Sequence, residues 1–252
     1  MTDCRFHAQS NRRFRMLERT ALLCCAIGLL PLQSHAAESW GGTLAVTSDY
    51  LVRGISRSNN GGAIQADLHV AADSGLIGGV FASSIRFDAA DHLNAEFSGF
   101  VGFAWQPSRV WRARALASYY SYAWNDSGSQ YNYAELALEA SYDDWLDINL
   151  VYSPDAPRYV PSRGLTGVSA PSADVTVRTP WFHRIAATAG VGYSHLSGPG
   201  AGGYAYWSAG GTLDLAPWSI SLSYVSTNAQ AAALFGSAAA HNRCSATIIW
   251  RF

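Results

Sequence analysis

Two groups of side chains in this 252-residue chain have the types and spacing to do chemistry. The first is His195-Leu196-Ser197. An imidazole and a hydroxyl two residues apart share one face of a strand, so the ring could take the hydroxyl proton and create a nucleophile. Such a pair also needs a third group to orient the imidazole, and neither neighbouring segment offers an acid or Asn at that height on that face. Ser197 moreover opens the turn Ser197-Gly198-Pro199-Gly200, so a strand-end His beside a turn Ser is the better reading. The second group is larger. Eight acids (Asp49, Asp67, Glu96, Glu135, Glu139, Asp147, Asp174, Asp214) and seven arginines (Arg53, Arg86, Arg112, Arg114, Arg178, Arg243, Arg251) all take the polar positions of alternating segments, and His69 shares their phase. Charges arrayed along one face suit a water-filled or ion-paired surface. No Cys or His spacing fits zinc, and no Gly-rich phosphate loop is present, so no cofactor is expected.

Composition constrains what positions these charges. Only 14% of residues are charged while 49% are hydrophobic and 13% aromatic, with a net charge of -1 and no Lys. A soluble domain carries about 25% charged residues. Near-neutrality leaves no basic field for nucleic acid, and the apolar content excludes disorder. A bundle of membrane helices needs several apolar runs of roughly 18 or more residues, and none occurs past residue 40.

Arg5, Arg12, Arg13 and Arg15 precede an apolar stretch from Ala21 to Leu32, followed by Ser34-His35-Ala36-Ala37. This is the pattern of a secretory signal peptide over residues 1–36, cleaved after Ala36, which leaves 37–252 as the mature domain; Met16 is an alternative start. Processing removes Cys4, Cys24 and Cys25 and leaves Cys244. With no internal disulfide possible, the domain needs a large core or a closed hydrogen-bonded surface.

From Thr43 onward the chain reads as twelve short alternating segments. Leu44, Val46, Tyr50 and Val52 oppose Thr47, Asp49 and Arg53 in a first segment running to Ile55. Ile64, Leu68 and Val70 oppose Asp67 and His69; Ile77, Phe81, Ile85 and Phe87 oppose Ser84 and Arg86. The same alternation continues to Ile248, Trp250 and Phe252 against Arg251. Short turns such as Ala72 to Gly75 and Ala216 to Pro217 alternate with longer joins, among them Ser56 to Gly62, Pro154 to Ser169 and Ser226 to Asn242. The expectation is an all-β fold: a closed antiparallel transmembrane β-barrel of about twelve strands, with short periplasmic turns and longer extracellular loops. Closure satisfies every backbone group in lipid. The apolar phase carries no charge, as it must where a midplane Arg costs about 2–4 kcal/mol. It is also rich in Ala and Gly, which would pack a soluble sandwich core poorly. Aromatics on that phase gather at the two strand ends, Trp105, Trp111, Tyr142, Trp218, Trp250 and Phe252 toward the turns and Tyr50, Tyr119, Tyr152, Tyr193, Trp207 and Tyr224 toward the loops, forming two interfacial belts.

The block Thr47-Ser48-Asp49-Tyr50-Leu51-Val52-Arg53-Gly54-Ile55-Ser56-Arg57-Ser58, with Ala63-Ile64-Gln65, the turn Asp73-Ser74-Gly75, Asn132-Tyr133-Ala134-Glu135 and Tyr152-Ser153-Pro154-Asp155, resembles the TorF family of proteobacterial porins. The terminal Trp250-Arg251-Phe252, with Ile248, resembles the C-terminal signal by which outer-membrane barrels engage their assembly machinery. The resemblance implies a channel in the bacterial outer membrane, with lipid, the barrel-assembly machinery and small hydrophilic solutes as partners. The alternative is a non-conducting structural or adhesive barrel whose lumen is closed by salt bridges. His195 and Ser197 are similar in spacing to the His-x-Ser of outer-membrane phospholipase A and lipid A deacylase, the enzyme alternative, and the expectation is no enzyme. Twelve strands should enclose a narrow lumen, and its balanced acids and arginines do not indicate strong ion selectivity. Asp49 and Arg53, four apart on one extended strand, lie roughly 13 Å from each other. Arg53 is therefore expected to pair with Asp67.

Overall fold

The computed structural model describes residues 39–86, 94–123, 131–160, 164–198 and 201–252. The expected signal peptide, residues 1–36, lies outside them. Twelve strands close into one antiparallel barrel: β1 (Ser39–Thr47), β4 (Ala63–Ala71), β5 (Leu76–Ile85), β6 (Asn94–Trp105), β7 (Trp111–Ala123), β8 (Tyr133–Tyr142), β9 (Leu146–Val160), β10 (Gly164–Arg178), β11 (Ile185–Leu196), β12 (Gly202–Leu215), β13 (Trp218–Thr227) and β14 (Arg243–Arg251). Each pairs with its sequence neighbour, and the ring is closed by β1, which pairs β4 on one side and β14 on the other. Gly42 and Phe252 exchange backbone hydrogen bonds of 3.0 and 3.1 Å across that seam. No described helix is long and apolar enough to cross a membrane; the strands do so, because a closed ladder leaves no edge unpaired in lipid.

The wall follows the alternation strand by strand. Leu44, Ile64, Val101, Leu138, Val175, Val191, Leu222 and Ile248 point outward and are exposed, while Asp67, Glu96, Arg114, Glu139, Asp147, Arg178, Asp214 and Arg243 are buried on the inner side. Large apolar residues facing out and charged residues facing in is the pattern of a barrel whose solvent is hydrocarbon. Exposed aromatics gather toward both ends of the wall. At the short-turn end Trp111 stacks edge-on against Tyr142 at 5.0 Å and Trp250 lies 5.0 Å from Phe252. Toward the long-loop end Tyr119, Tyr152, Tyr193, Trp207 and Tyr224 face outward.

Three local expectations are corrected. In β5 the phase is reversed: Ile77 is 2% exposed and Ile85 fully buried, whereas Leu76 and Val80 face out, Val80 at 58%. Both phases of this strand carry bulky apolar residues, so alternation alone could not choose; the register with β4 and β6 did. The first segment is not one strand to Ile55. After Thr47 the chain leaves the wall and forms a separate hairpin, β2 (Leu51–Val52) and β3 (Ile55–Ser56), inside the barrel. Tyr50, expected in a lipid belt, is consequently 3% exposed and packs against Phe81 and the interior tyrosines Tyr120, Tyr122 and Tyr133. Its apolar ring could be buried by lipid or by interior aromatics, and local periodicity does not distinguish the two. The stretch Pro154 to Ser169 is not an open loop either. β9 and β10 stay paired beyond the other strands, from Val168↔Ala156 to Gly164↔Val160, with a register shift between Val168 and Ala170. Residues 161–163, at the tip, lie outside the described residues.

The Ala-rich segment after β13 carries a short helix, α1 (Ala229–Phe235). Ala231 is fully buried, and Tyr204 meets Phe235 edge-on at 5.4 Å. Together with Ile55 of the inner hairpin, Val168, Leu196, Tyr204 and Tyr206, this segment forms an apolar cluster at the long-loop end.

Candidate functional site

The interior is organised by the segment between β1 and β4. Its root is fixed by Asp49, whose Oδ1 accepts hydrogen bonds from Ser56 Oγ (2.6 Å) and Ser58 Oγ (2.9 Å). The other oxygen, Oδ2, pairs with Arg243 Nη1 of β14 at 2.9 Å. The same Arg243 nitrogen donates to Asn60 Oδ1 (2.6 Å), while Asn60 Nδ2 donates to the carbonyl of Ala238 (2.9 Å) and Ser56 N to that of Ala239 (3.0 Å). Both ends of the segment are thus tied to the wall and to the chain beyond α1.

The tip lies across the lumen. Val52 and Ile55 pair around a two-residue turn, Arg53 (φ +50°) and Gly54 (φ +79°). Such turns need positive φ at both central residues and favour Asn-Gly. Arg in the left-handed region costs roughly 1–2 kcal/mol, an outlier that points to a role for its side chain. Gly54 has a second constraint, since a Cβ there would lie 2.7 Å from Thr227 Cγ2 of β13 and 2.9 Å from Tyr206 Cβ of β12. Arg53 Nη1 sits 2.9 Å from Glu135 Oε1 of β8, with side-chain exposures of 16% and 3%. The expected Arg53 and Asp67 pair is therefore corrected: the hairpin carries Arg53 across the lumen to β8, and Asp67 is held instead by His69 of its own strand, Nδ1 to Oδ1 2.7 Å. Asp49 and Arg53 do not share a barrel strand.

Beside the hairpin lies a tyrosine and carboxylate cluster. Glu96 of β6 accepts a hydrogen bond from Tyr50 OH on Oε1 and from Tyr122 OH on Oε2, each 2.8 Å. Arg57 donates to Tyr122 OH (3.3 Å) and Tyr133 OH (3.5 Å), and Tyr120 stacks on Tyr133 at 4.6 Å. Burial, reinforced by the Glu96 charge, raises the Tyr50 phenol well above its usual range, so it stays a donor at physiological pH. Arg57, Tyr120, Tyr122 and Tyr133 were not among the expected interior residues. Their signal was present, because Tyr120 and Tyr122 alternate with lipid-facing Tyr119 and therefore share the phase of Arg114 and Ser118.

The remaining inward charges pair along the wall. Arg114 and Glu139 stand directly opposite in the β7 and β8 register, and Arg114 Nε and Nη2 both donate to Glu139 Oε2, the former at 2.8 Å. Arg112 pairs with Asp144 in the β8 to β9 turn. Asp147 accepts from Ser141 Oγ at 2.6 Å and lies 3.8 Å from Arg178. Asp174 accepts from Asn149 and from Tyr206 OH, both at 3.3 Å, and Arg251 donates to Asp214 at 3.4 Å. Arg86 differs from the rest: it follows the last residue of β5 and is exposed at the long-loop end. Ile248 and Phe252 face outward on the closing strand, with Trp250 partly exposed beside Phe252.

The His195 and Ser197 pair does not assemble. His195 lies at the end of β11 in the outward phase of Val191 and Tyr193. Ser197 Oγ donates to the Ser169 carbonyl (3.1 Å) and lies 2.6 Å from Ser169 Oγ, so its hydrogen bonds run to the neighbouring chain segment and not to the imidazole.

Two solved structures share this architecture. One is described as KdgM porin (TM-score 0.52, 8% identity, covering 84% of this chain and 99% of that one). The other is described as NanC porin (TM-score 0.52, 10% identity, covering 84% and 98%). At such identity the likeness is one of fold. No curated protein matches the chain in sequence. A family model does match over residues 34–251, nearly the whole barrel and its approach, and the chain thereby belongs to the family described as bacterial protein of unknown function (Gcw_chp).

Proposed function

We propose that the protein is an outer-membrane channel through which small hydrophilic solutes or ions diffuse passively. One observation carries the reading: a closed twelve-strand wall that is apolar outside holds charged and hydroxyl side chains inside, with a hairpin that carries Arg53 laid within the lumen. A barrel built only to stand in the membrane could fill its interior with apolar side chains and avoid the desolvation of so many charges. Two of the similar solved structures are porins by description, which supports the reading. Within the Gcw_chp family we place the chain with TorF-type porins on the block Thr47 to Ser58.

The same reading assigns residues 1–36 to an export signal, the short turns to the periplasmic side and the long loops to the exterior. Asp49, Arg53, Asp67, His69, Glu96, Arg112, Arg114, Glu135, Glu139, Asp147, Asp174, Arg178, Asp214, Arg243 and Arg251 line the passage, with Arg86 at its mouth. Ile248, Trp250 and Phe252, on the strand that closes the ring, present the aromatic edge that the barrel-assembly machinery engages. No cofactor takes part, and the direction of Ser197 toward Ser169 favours a channel over a lipid hydrolase.

A second reading has its own observation. Arg114 with Glu139, Arg243 with Asp49 and Arg251 with Asp214 neutralise one another, as in a structural barrel sealed by salt bridges. Planar-bilayer recording of the refolded protein in a panel of salts separates the two. A stable unitary conductance is expected; silence from correctly folded protein selects the sealed barrel.

A further inference from the structure

The channel reading requires a place where passage is limited, and the inner hairpin supplies one. We propose that the Arg53 and Glu135 pair, carried at the hairpin tip, is the selectivity-determining charge at the narrowest point of the lumen; the proposal rests on the channel reading.

Four observations converge on it. The root is held on three sides, by Asp49 with Arg243, by Ser56 and Ser58 on Asp49, and by Asn60 on the Ala238 carbonyl, so the tip has a fixed position. On one flank the tip packs against β12 and β13, where Gly54 leaves no room for a Cβ against Thr227 and Tyr206, so passage on that side is closed. On the other flank Arg53 reaches Glu135 of β8, which lies far around the ring from the β1 and β4 strands that anchor the hairpin. Finally, the backbone of a two-residue turn with positive φ prefers Asn at the first position. Arg stands there instead, and the turn carries its guanidinium to Glu135. Arg53 keeps 16% of its side-chain surface exposed while Glu135 keeps 3%, so a passing solute meets a cation backed by a buried carboxylate.

The arrangement predicts opposite effects from its two halves. Arg53→Asn leaves the Glu135 carboxylate bare and shifts the zero-current potential in a salt gradient toward cation preference. Glu135→Gln removes the carboxylate paired with the guanidinium and shifts it toward anion preference. Each changes the cation-to-anion permeability ratio about two-fold or more, and the double variant returns near the wild-type ratio. Arg53→Asn suits the left-handed turn, so it should fold even where Glu135→Gln does not, and its cation-ward shift alone is then required. Heat-modifiable migration in electrophoresis confirms folding of each variant. A merely structural pair would move both ratios in the same direction or neither, and either result in a conducting wild-type background overturns the inference. A folded wild type without conductance overturns the channel reading itself.

Discussion

Whether the short-turn half of the lumen is dry can be measured at the Arg114 and Glu139 pair. The two residues stand opposite in adjacent strands, with Arg114 Nε 2.8 Å from Glu139 Oε2 and side-chain exposures of 7% and 10%. At that separation and an effective dielectric near ~20, their Coulomb attraction is about 6 kcal/mol, an upper figure before desolvation is subtracted. Arg114→Met removes the cation from a buried carboxylate and Glu139→Leu the carboxylate from a buried guanidinium, so each is expected to lower stability by about 3–5 kcal/mol. The double variant leaves no charge behind and should lie within about 1 kcal/mol of wild type. The resulting coupling energy, the two single losses less that of the double variant, is about 5 kcal/mol or more. Urea titration of the vesicle-inserted protein, followed by fluorescence of outward tryptophans such as Trp105, Trp111 and Trp218, provides the assay. Were this height of the lumen filled with screening water, the pair would behave as an exposed one and the coupling would fall to about 0.2–1 kcal/mol. That result, with the losses from the single variants simply adding, refutes the account of a desolvated pair.

Two further outcomes test the corrected elements. Val80→Arg places a cation on the lipid face of β5 and should cost about 2–4 kcal/mol; were the opposite phase correct, it would enter the polar lumen and be tolerated. In a Cys244→Ser background, a fluorophore on Val80→Cys, but not on Ser83→Cys, should be quenched by brominated lipid. Tyr50→Phe removes one of the hydrogen bonds on the Glu96 carboxylate and should lower stability by about 1.5–3 kcal/mol in the same urea titration. A Tyr50 in a lipid belt would accept Phe with almost no change.

What could be read locally came out of a period of two set against lipid. Hydrocarbon admits no charge, so wherever one phase carried charges the other had to face out, as in β4, β7 and β8; the alternating turn lengths then set which strands are neighbours. The same logic failed in β5, where Arg86, the one charge that oriented the segment, lies past the last strand residue, and Ile77, Val80, Phe81 and Ile85 put bulky apolar residues on both phases. It also failed at Tyr50, whose apolar ring satisfies burial equally well against lipid or against Tyr122 and Tyr133.

The amino-acid sequence by itself determined a twelve-strand closed wall, its apolar exterior, its charged interior and its aromatic ends. Each of these depends on the solvent a side chain meets and on residues within a few positions of it. Only the tertiary structure decided that residues 48–62 turn into the lumen, that Arg53 meets Glu135 instead of Asp67, and that Asp49 meets Arg243. Those contacts join residues far apart in the chain. They exist because ring closure sets β1 beside β14 and faces the β1 to β4 connection toward strands on the far side. A two-residue period carries no information about which points on a closed circle lie opposite.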